Sequence, residues 1–462
     1  MQPTFRASAI MVCLMAISAC ATSGETTARA AFENRTQRLQ GDQSTSEADS
    51  KTAALDGTLN SYVRFAMQNS PELEAQFQRW RASIQRISAS RRLPDPVLSY
   101  SYYISRVETR VGPQRQRLSL VQSFPWPTKL SAGADAASSR ARSQGERFDA
   151  LAISLTAQVE EKYWTLWALV ETVKIHREHL IVLTGLSESA SALVATGRVD
   201  LSDQQQIDLT TAKIEDLIAT IDENIGQAQA ALKGVIGAPQ SIETPVTSEP
   251  MLVPPITGED ALMESAKSHP LIAAYESLAL SAEADARKER ASRYPNFSLG
   301  VDWIETGEAR MDGVKDSGKD AVMIGMGISL PLWQTNYKQN IEASRSDSRA
   351  FRADGRAAVN VAIARLRAAL SRVRDMRRRI QLYEDTLLPG AQSVFESVVI
   401  AYTSGRGSVA STLLAQEDLL NLRIELTEVR ADYARSLSAL ESIVGKPINR
   451  QLEQRHQEEI PQ

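Results

Sequence analysis

The chain has 462 residues, a formal net charge of -4, a sequence pI near 5.8 and a mean hydropathy of -0.26. This balance argues against a nucleic-acid-binding protein and against a polytopic helical membrane protein. Beyond the first twenty residues there is no run of 18 or more apolar residues, so no spanning helix is expected.

The N-terminus reads as a leader. Arg6 supplies positive charge, and Ala9 to Ile17 is apolar but too short to cross a bilayer. It ends in Ile17-Ser18-Ala19-Cys20, small residues before a cysteine, as in a bacterial lipobox. Residues 1–19 are then a lipoprotein signal peptide and Cys20 the lipid-bearing anchor; an ordinary signal peptide with an incidental cysteine is the alternative. More than one acyl chain is needed for stable anchoring. Cys13 lies in the leader, so no disulfide is expected, and no cofactor beyond the covalent lipid. Residues 20–57, rich in Thr, Ser, Gln and Glu, read as a loosely packed tether.

A helix is expected from Thr58, a plausible cap, to Asn69-Ser70-Pro71, and another from Glu72 to about Arg92. Pro94 and Pro96 stop it. Then the period changes to two. Leu98, Tyr100, Tyr102 and Ile104 alternate with serines and Tyr103; Leu118, Leu120 and Phe124 alternate with Ser119, Val121 and Ser123, with Gln122 on the apolar side. The spacing predicts a hairpin with strands at about 97–105 and 116–124 and a charged tip from Arg106 to Arg115. A long helix follows from about Ser131 to Thr196, its first third rich in Ala and Ser. Gly197-Arg198 breaks it, and a second long helix runs from about Ser202 to Val235, ending at Gly237. Residues 238–257 hold five prolines and read as a linker.

The same order then returns. Helices at about 258–268 and 271–293 are separated by His269-Pro270. Phe297, Leu299, Val301 and Trp303 alternate with Ser298, Gly300 and Asp302, and Ile324, Met326, Ile328 and Leu330 with Gly325, Gly327 and Ser329, giving strands at about 296–304 and 322–330. A long helix, interrupted at Pro389, reaches Ser404-Gly405-Arg406-Gly407, and a last one spans Val409 to Val444. Pro71 and Pro270 are 199 residues apart, as are Pro96 and Pro295; Pro125 and Pro331 are 206 apart; Gly197 and Gly405, and Gly237 and Gly445, are 208 apart. Such ordered offsets indicate an internal duplication of repeats 58–237 and 258–447, with a polar tail at 448–462. The drift is expected mainly in the hairpin, where loop insertion costs little.

Four short strands with one greasy face and one face of Ser and Gly admit two readings. In a soluble sandwich or clasp the greasy faces meet each other. In an outer-membrane barrel they face lipid and the small polar faces line water. Lipid tolerates no open sheet edge, so in the second reading several chains must share one barrel, and three would give twelve strands. The residues assigned to the lipid face are Leu98, Tyr100, Tyr102, Leu118, Leu120, Leu299, Val301, Trp303, Met326 and Ile328.

With the lipobox, the duplicated helix–hairpin–helix order, Phe124-Pro125-Trp126-Pro127, Leu330-Pro331-Leu332-Trp333, and Ser404-Gly405-Arg406-Gly407-Ser408 followed by Leu413-Leu414-Ala415-Gln416, the chain from Thr58 to Pro447 resembles the TolC-like outer-membrane factors. The resemblance implies a mainly α fold with a small β part: a long α-helical barrel plus a transmembrane β-barrel shared by three chains. It implies a homotrimer in outer-membrane lipid, docked to a periplasmic adaptor (membrane fusion) protein and an inner-membrane pump of RND type. It implies that Gly197, Arg198, Gly405 and Arg406 form the periplasmic tip, and that Asp203 contributes to an acidic ring in the lumen; the equivalent in the second repeat is Ser411. The local alternative is that Asp200 and Asp203 cap a helix. The strand flanks look similar to the heavy-metal branch, so metal cations are favoured over other small molecules as cargo. A lipid-tethered periplasmic coiled coil without a pore is the competing function.

His176-x-x-His179 has metal-compatible spacing but not the order of a zinc-protease motif and no evident third ligand, so a solvated helix face is expected. No nucleophile–base pair or phosphate loop is evident, and no enzyme is indicated.

Overall fold

The computed structural model describes residues 23–44, 55–250 and 258–448. The leader, Cys20 and residues 449–462 lie outside the described residues, as do residues 251–257 of the linker.

The elements follow the duplicated order. They are α1 (Ser23–Ser44), α2 (Leu59–Asn69), α3 (Pro71–Ser90), β1 (Val97–Thr109), β2 (Gly112–Phe124), α4 (Pro127–Ala195) and α5 (Leu201–Ile236). The second repeat gives α6 (Glu259–Lys267), α7 (Pro270–Ala291), β3 (Asn296–Thr306), β4 (Ala321–Ser329), α8 (Gln334–Leu382), a π-helical turn (Tyr383–Leu387), α9 (Leu388–Thr403) and α10 (Val409–Val444). α4 has 69 residues, so it is about 100 Å long. Thr58 caps α2 by accepting from the Ser61 N–H, and Gly237 and Gly445 close α5 and α10 in the left-handed conformation.

The π-helical turn has a local cause. Pro389 has no N–H to donate, and its ring would strike the carbonyl four residues back. The helix widens there, and the Leu388 N–H bonds to the Tyr383 carbonyl five residues back. A π-turn accommodates an extra residue within a helix, which fits the offset between repeats rising from 206 at Pro125 and Pro331 to 208 at Gly197 and Gly405. Most of the drift, from 199 to 206, falls across the hairpin, and the remainder falls in the helices that include this turn.

Two compact units are built from interleaved segments. The first comprises the described residues of 1–45, 77–146 and 273–356. It holds one antiparallel sheet in the order β1-β2-β3-β4. Its helical segments pack through small residues: Ala134, Ala136, Ala141 and Ser143 of α4 and Ala279, Ala282, Ala284 and Ser281 of α7 are buried. A Cβ on Gly145 of α4 would stand 2.9 Å from the Trp80 ring of α3. The expected loose tether is instead helical from Ser23 to Ser44. Phe32 of α1 stacks on Phe77 and meets Trp80 edge-on, while Glu25, buried, takes ion pairs from Arg29 and Arg91. α1 has almost no hydrophobic stripe, so a few aromatic and ionic contacts, not periodicity, fix it.

The second unit comprises the described residues of 46–76, 147–272 and 357–462. Its apolar clusters form a series. Leu262, Leu366, Leu370, Leu440 and Val444 make one, Val373, Ile380, Tyr383, Leu426 and Tyr433 the next, and Leu183, Leu186, Ala190, Ile207, Tyr402 and Val409 a third. The described part of the linker is pinned: Tyr62 donates to the Pro245 carbonyl and the Thr247 N–H to the Gly57 carbonyl. The expected solvated face at His176 and His179 is overturned, because both imidazoles are buried. Helical spacing places them with Val173, Leu180 and Leu183 on the packed side of α4, whereas Arg177 and Glu178 carry the exposed side.

Candidate channel-forming sheet and helix turns

Register assembles the sheet's two faces. Leu98 pairs with Leu120, Leu120 with Val301 and Val301 with Ile324. Tyr100 pairs with Leu118, Leu118 with Trp303 and Trp303 with Val322. Leu299 pairs with Gln122 and with Met326, and Phe297 with Phe124 and with Ile328. Side chains alternate along a strand, so the ten residues assigned to the lipid face share one side of one continuous sheet, with Tyr102 standing opposite Gln116. The described residues do not cover them: Leu98, Tyr100, Tyr102, Leu118, Leu120, Val301, Trp303 and Ile328 are exposed, Met326 is 87% exposed, and Leu299 is half-buried. An apolar patch of this extent on a single chain marks a surface meant for something other than water.

The opposite face carries Ser99, Ser119, Ser298, Gly300, Gly325 and Gly327, with ionic groups that alternation alone did not pair. Arg117 donates to Asp302 Oδ1 from Nε (3.0 Å) and Nη2 (2.9 Å). On the apolar side, next to the tip, Gln116 bonds to Glu305. The hairpin tip also differs from expectation. β1 and β2 continue to Thr109 and Gly112, leaving a two-residue turn in place of a long charged loop. Gly112 sits at φ 133°, and a Cβ there would be 1.7 Å from the Gly307 carbonyl oxygen. A register shift between Tyr102 and Val107 twists the longer strand. Trp126 stacks on Tyr294 at 5.0 Å where the strands leave the helices, and Leu330, Leu332 and Trp333 are exposed after β4. β1 and β4 are the outer strands, so each leaves one edge without a partner among the described residues.

The second site is a pair of helix turns. Gly197 and Gly405 have φ of 69° and 73°, and a Cβ on either would meet nothing within 4 Å. The Arg198 N–H reaches the Leu193 carbonyl and the Arg406 N–H the Ala401 carbonyl, both at 2.9 Å, which closes each helix end in the same way. Arg198 and Arg406 are exposed. The cluster of Leu186, Ala190, Ile207, Tyr402 and Val409 unites the helices on both sides of the two turns, so residues about 200 apart in sequence share one end of the second unit. Asp200 stands at the N-cap of α5 but makes no side-chain cap bond, and Asp203 lies in the first turn, half-buried. Burial, and then the charge of Asp203, push the Tyr402 phenol above its ordinary value. In the second repeat Ser408 caps α10 by accepting from the Ser411 N–H at 3.2 Å.

An amphipathic sheet with bare apolar side chains, set between long helices in a duplicated chain, is the arrangement of an outer-membrane export channel. Residues 261–446 match the family model described as outer membrane efflux protein. The cobalt-zinc-cadmium resistance protein CzcC of Cupriavidus metallidurans is 23% identical over 369 residues, 78% of this chain and 83% of that protein. Among solved structures, CusC, described as forming a transmembrane channel, superposes with a TM-score of 0.71 at 15% identity, covering 86% of this chain and 94% of its own. The outer membrane protein VceC of Vibrio cholerae gives 0.68 at 20% identity, covering 85% and 97%. The efflux-protein match covers the second repeat and the shared fold nearly the whole chain, so the protein is a TolC-like outer-membrane efflux channel, the outer-membrane component of a tripartite pump and not an enzyme.

Proposed function

We propose that three copies pool their sheets into one closed twelve-stranded wall, with β4 of each copy pairing with β1 of the next. The observation that carries this is the combination of two free sheet edges with an uncovered apolar face. Lipid accepts the face but not the edges, and four strands are too few to enclose a lumen. The small side chains of the other face would then line water. The helices would form a periplasmic duct whose Gly197-Arg198 and Gly405-Arg406 turns meet the adaptor. Transport through this subunit is passive, with energy supplied by an inner-membrane pump of RND type.

Three copies of Asp203 near those turns would favour cations in a narrow lumen. Metal cations are the cargo we favour, supported by the name of the Cupriavidus relative. Cys20 is the proposed lipid anchor. Four residues lie between it and Glu25, and the five steps span at most about 18 Å. Glu25 is held by Arg91 at the end of α3, shortly before β1, which keeps a Cys20-borne lipid within reach of the strand ends. A pore-free tethered coiled coil would leave the apolar face without a cover.

The test is assembly. The full chain, extracted from outer membranes in detergent, should migrate as a heat-modifiable trimer and conduct ions in planar bilayers. Recovery as a detergent-independent monomer would overturn the proposal.

A further inference from the structure

His176 and His179 stand one turn apart on α4 and are 3% and 7% exposed; Gln416 of α10, next to His179, is 4% exposed. Among the described residues, Nδ1 of each imidazole is buried without a hydrogen-bond partner, and the buried Gln416 amide makes no contact better than a weak hydrogen bond to His179. Buried polar atoms are normally satisfied, so this cluster is costly where it sits. The second repeat builds the matching place differently. At the 208-residue offset that relates Gly197 to Gly405, Glu384 and Leu387 replace the histidines, and Glu384 is satisfied by Arg430 at 2.6 Å.

The charged groups around the pair are engaged elsewhere. On α4, Arg177 turns to Asp222 of α5, and Glu178 to Arg423 of α10. Glu417 and Asp418 of α10 are exposed. Glu396 of α9 accepts from Gln392 on its own helix. No carboxylate bonds to either imidazole among the described residues. The titratable neighbour of His179 is His176, a group of like charge once protonated.

We propose that His176, His179 and Gln416 form an acid-sensitive joint in the seam between α4 and α10, closed while both imidazoles are neutral and loosened when they take up protons. A charged imidazole in an apolar seam lacks a counter-ion, and a second one beside it adds repulsion. The seam continues through Leu183 and Leu186 to Tyr402 and Val409, so loosening it frees the packing behind the Gly197 and Gly405 turns. Burial, then the charge of His176, lower His179 to about 4 against a smaller opposing hydrogen bond with Gln416, and burial lowers His176. The sign follows: an opened seam binds more protons than a closed one below about pH 6.5, so acid favours opening, with the effect complete near pH 4. At pH 5 the opened population rises about thirty-fold from His179 alone.

Hydrogen exchange on the full chain in detergent tests this, with rates corrected for intrinsic chemistry. Between pH 7.5 and 5, exchange in peptides covering residues 172–186 and 411–424 should speed up about thirty-fold, while residues 373–387 and 426–433, which pack in a separate apolar cluster, stay unchanged. H176Q/H179Q should abolish the response. Q416E, which places a carboxylate beside His179, should cancel or reverse it, and serves if the double variant does not fold. An equal acid response in residues 373–387 and 426–433, or one that survives these substitutions, would overturn the joint while leaving the export duct intact.

Discussion

Val301→Arg tests the assignment of the sheet most directly. Val301 is exposed in the middle of β3, flanked across the strands by Leu120 and Ile324. If that row faces hydrocarbon, an arginine near the bilayer midplane costs roughly 2–4 kcal/mol. Three copies in one wall raise this to roughly 6–12 kcal/mol, comparable with the whole stability of an ordinary domain of about 5–15 kcal/mol. Ser99→Lys places a charge on the opposite face, where water is expected, and should change little. The assay is insertion into phospholipid vesicles, read as the heat-modifiable trimer fraction. Wild type and Ser99→Lys should assemble alike, and Val301→Arg should lose nearly all trimer. Equal assembly of Val301→Arg and wild type would refute a lipid-facing row, and with it the shared barrel.

Four further outcomes are expected. Gly197→Ala and Gly405→Ala should each cost about 1 kcal/mol in thermal unfolding, from the left-handed backbone alone, since the space around both is open; Asn should cost less. Gly112→Ala should be far worse, because its Cβ would overlap the Gly307 carbonyl, and should reduce folding yield and strand content by circular dichroism. Glu25→Ala removes the acceptor between Arg29 and Arg91 and should cost about 3 kcal/mol locally, seen as faster proteolysis of residues 23–37 with the sheet unaffected. His179→Leu should flatten the acid limb of the melting-temperature profile: in wild type the fall from about 6.5 to 4 in the His179 value corresponds to about 3 kcal/mol lost between those pH values.

The sequence carried the duplication, the element order and the composition of the strand faces, because those features are periodic. A period of two in Leu98 to Ile104, left-handed glycines at 237 and 445, and prolines at matched offsets act locally, within a few residues of where they are read. Local rules also explain the π-turn once Pro389 is seen, although periodicity alone gave only an interruption.

Other features depended on which segments meet. The aperiodic polar stretch after Cys20 gave no sign of a helix, since α1 is held by Phe32 against Phe77 and Trp80 and by Glu25 against Arg91, all contacts distant in sequence. The histidine pair read as solvated because its flanking residues are charged. Only the packing of α4 against α10 shows that Arg177 and Glu178 face out and the imidazoles in. The pairing of Arg117 with Asp302 and the order β1-β2-β3-β4 arise from register between strands almost two hundred residues apart. Composition can state that a face is greasy. Long-range contacts decide what the chain puts over it, and those among the described residues leave that face bare.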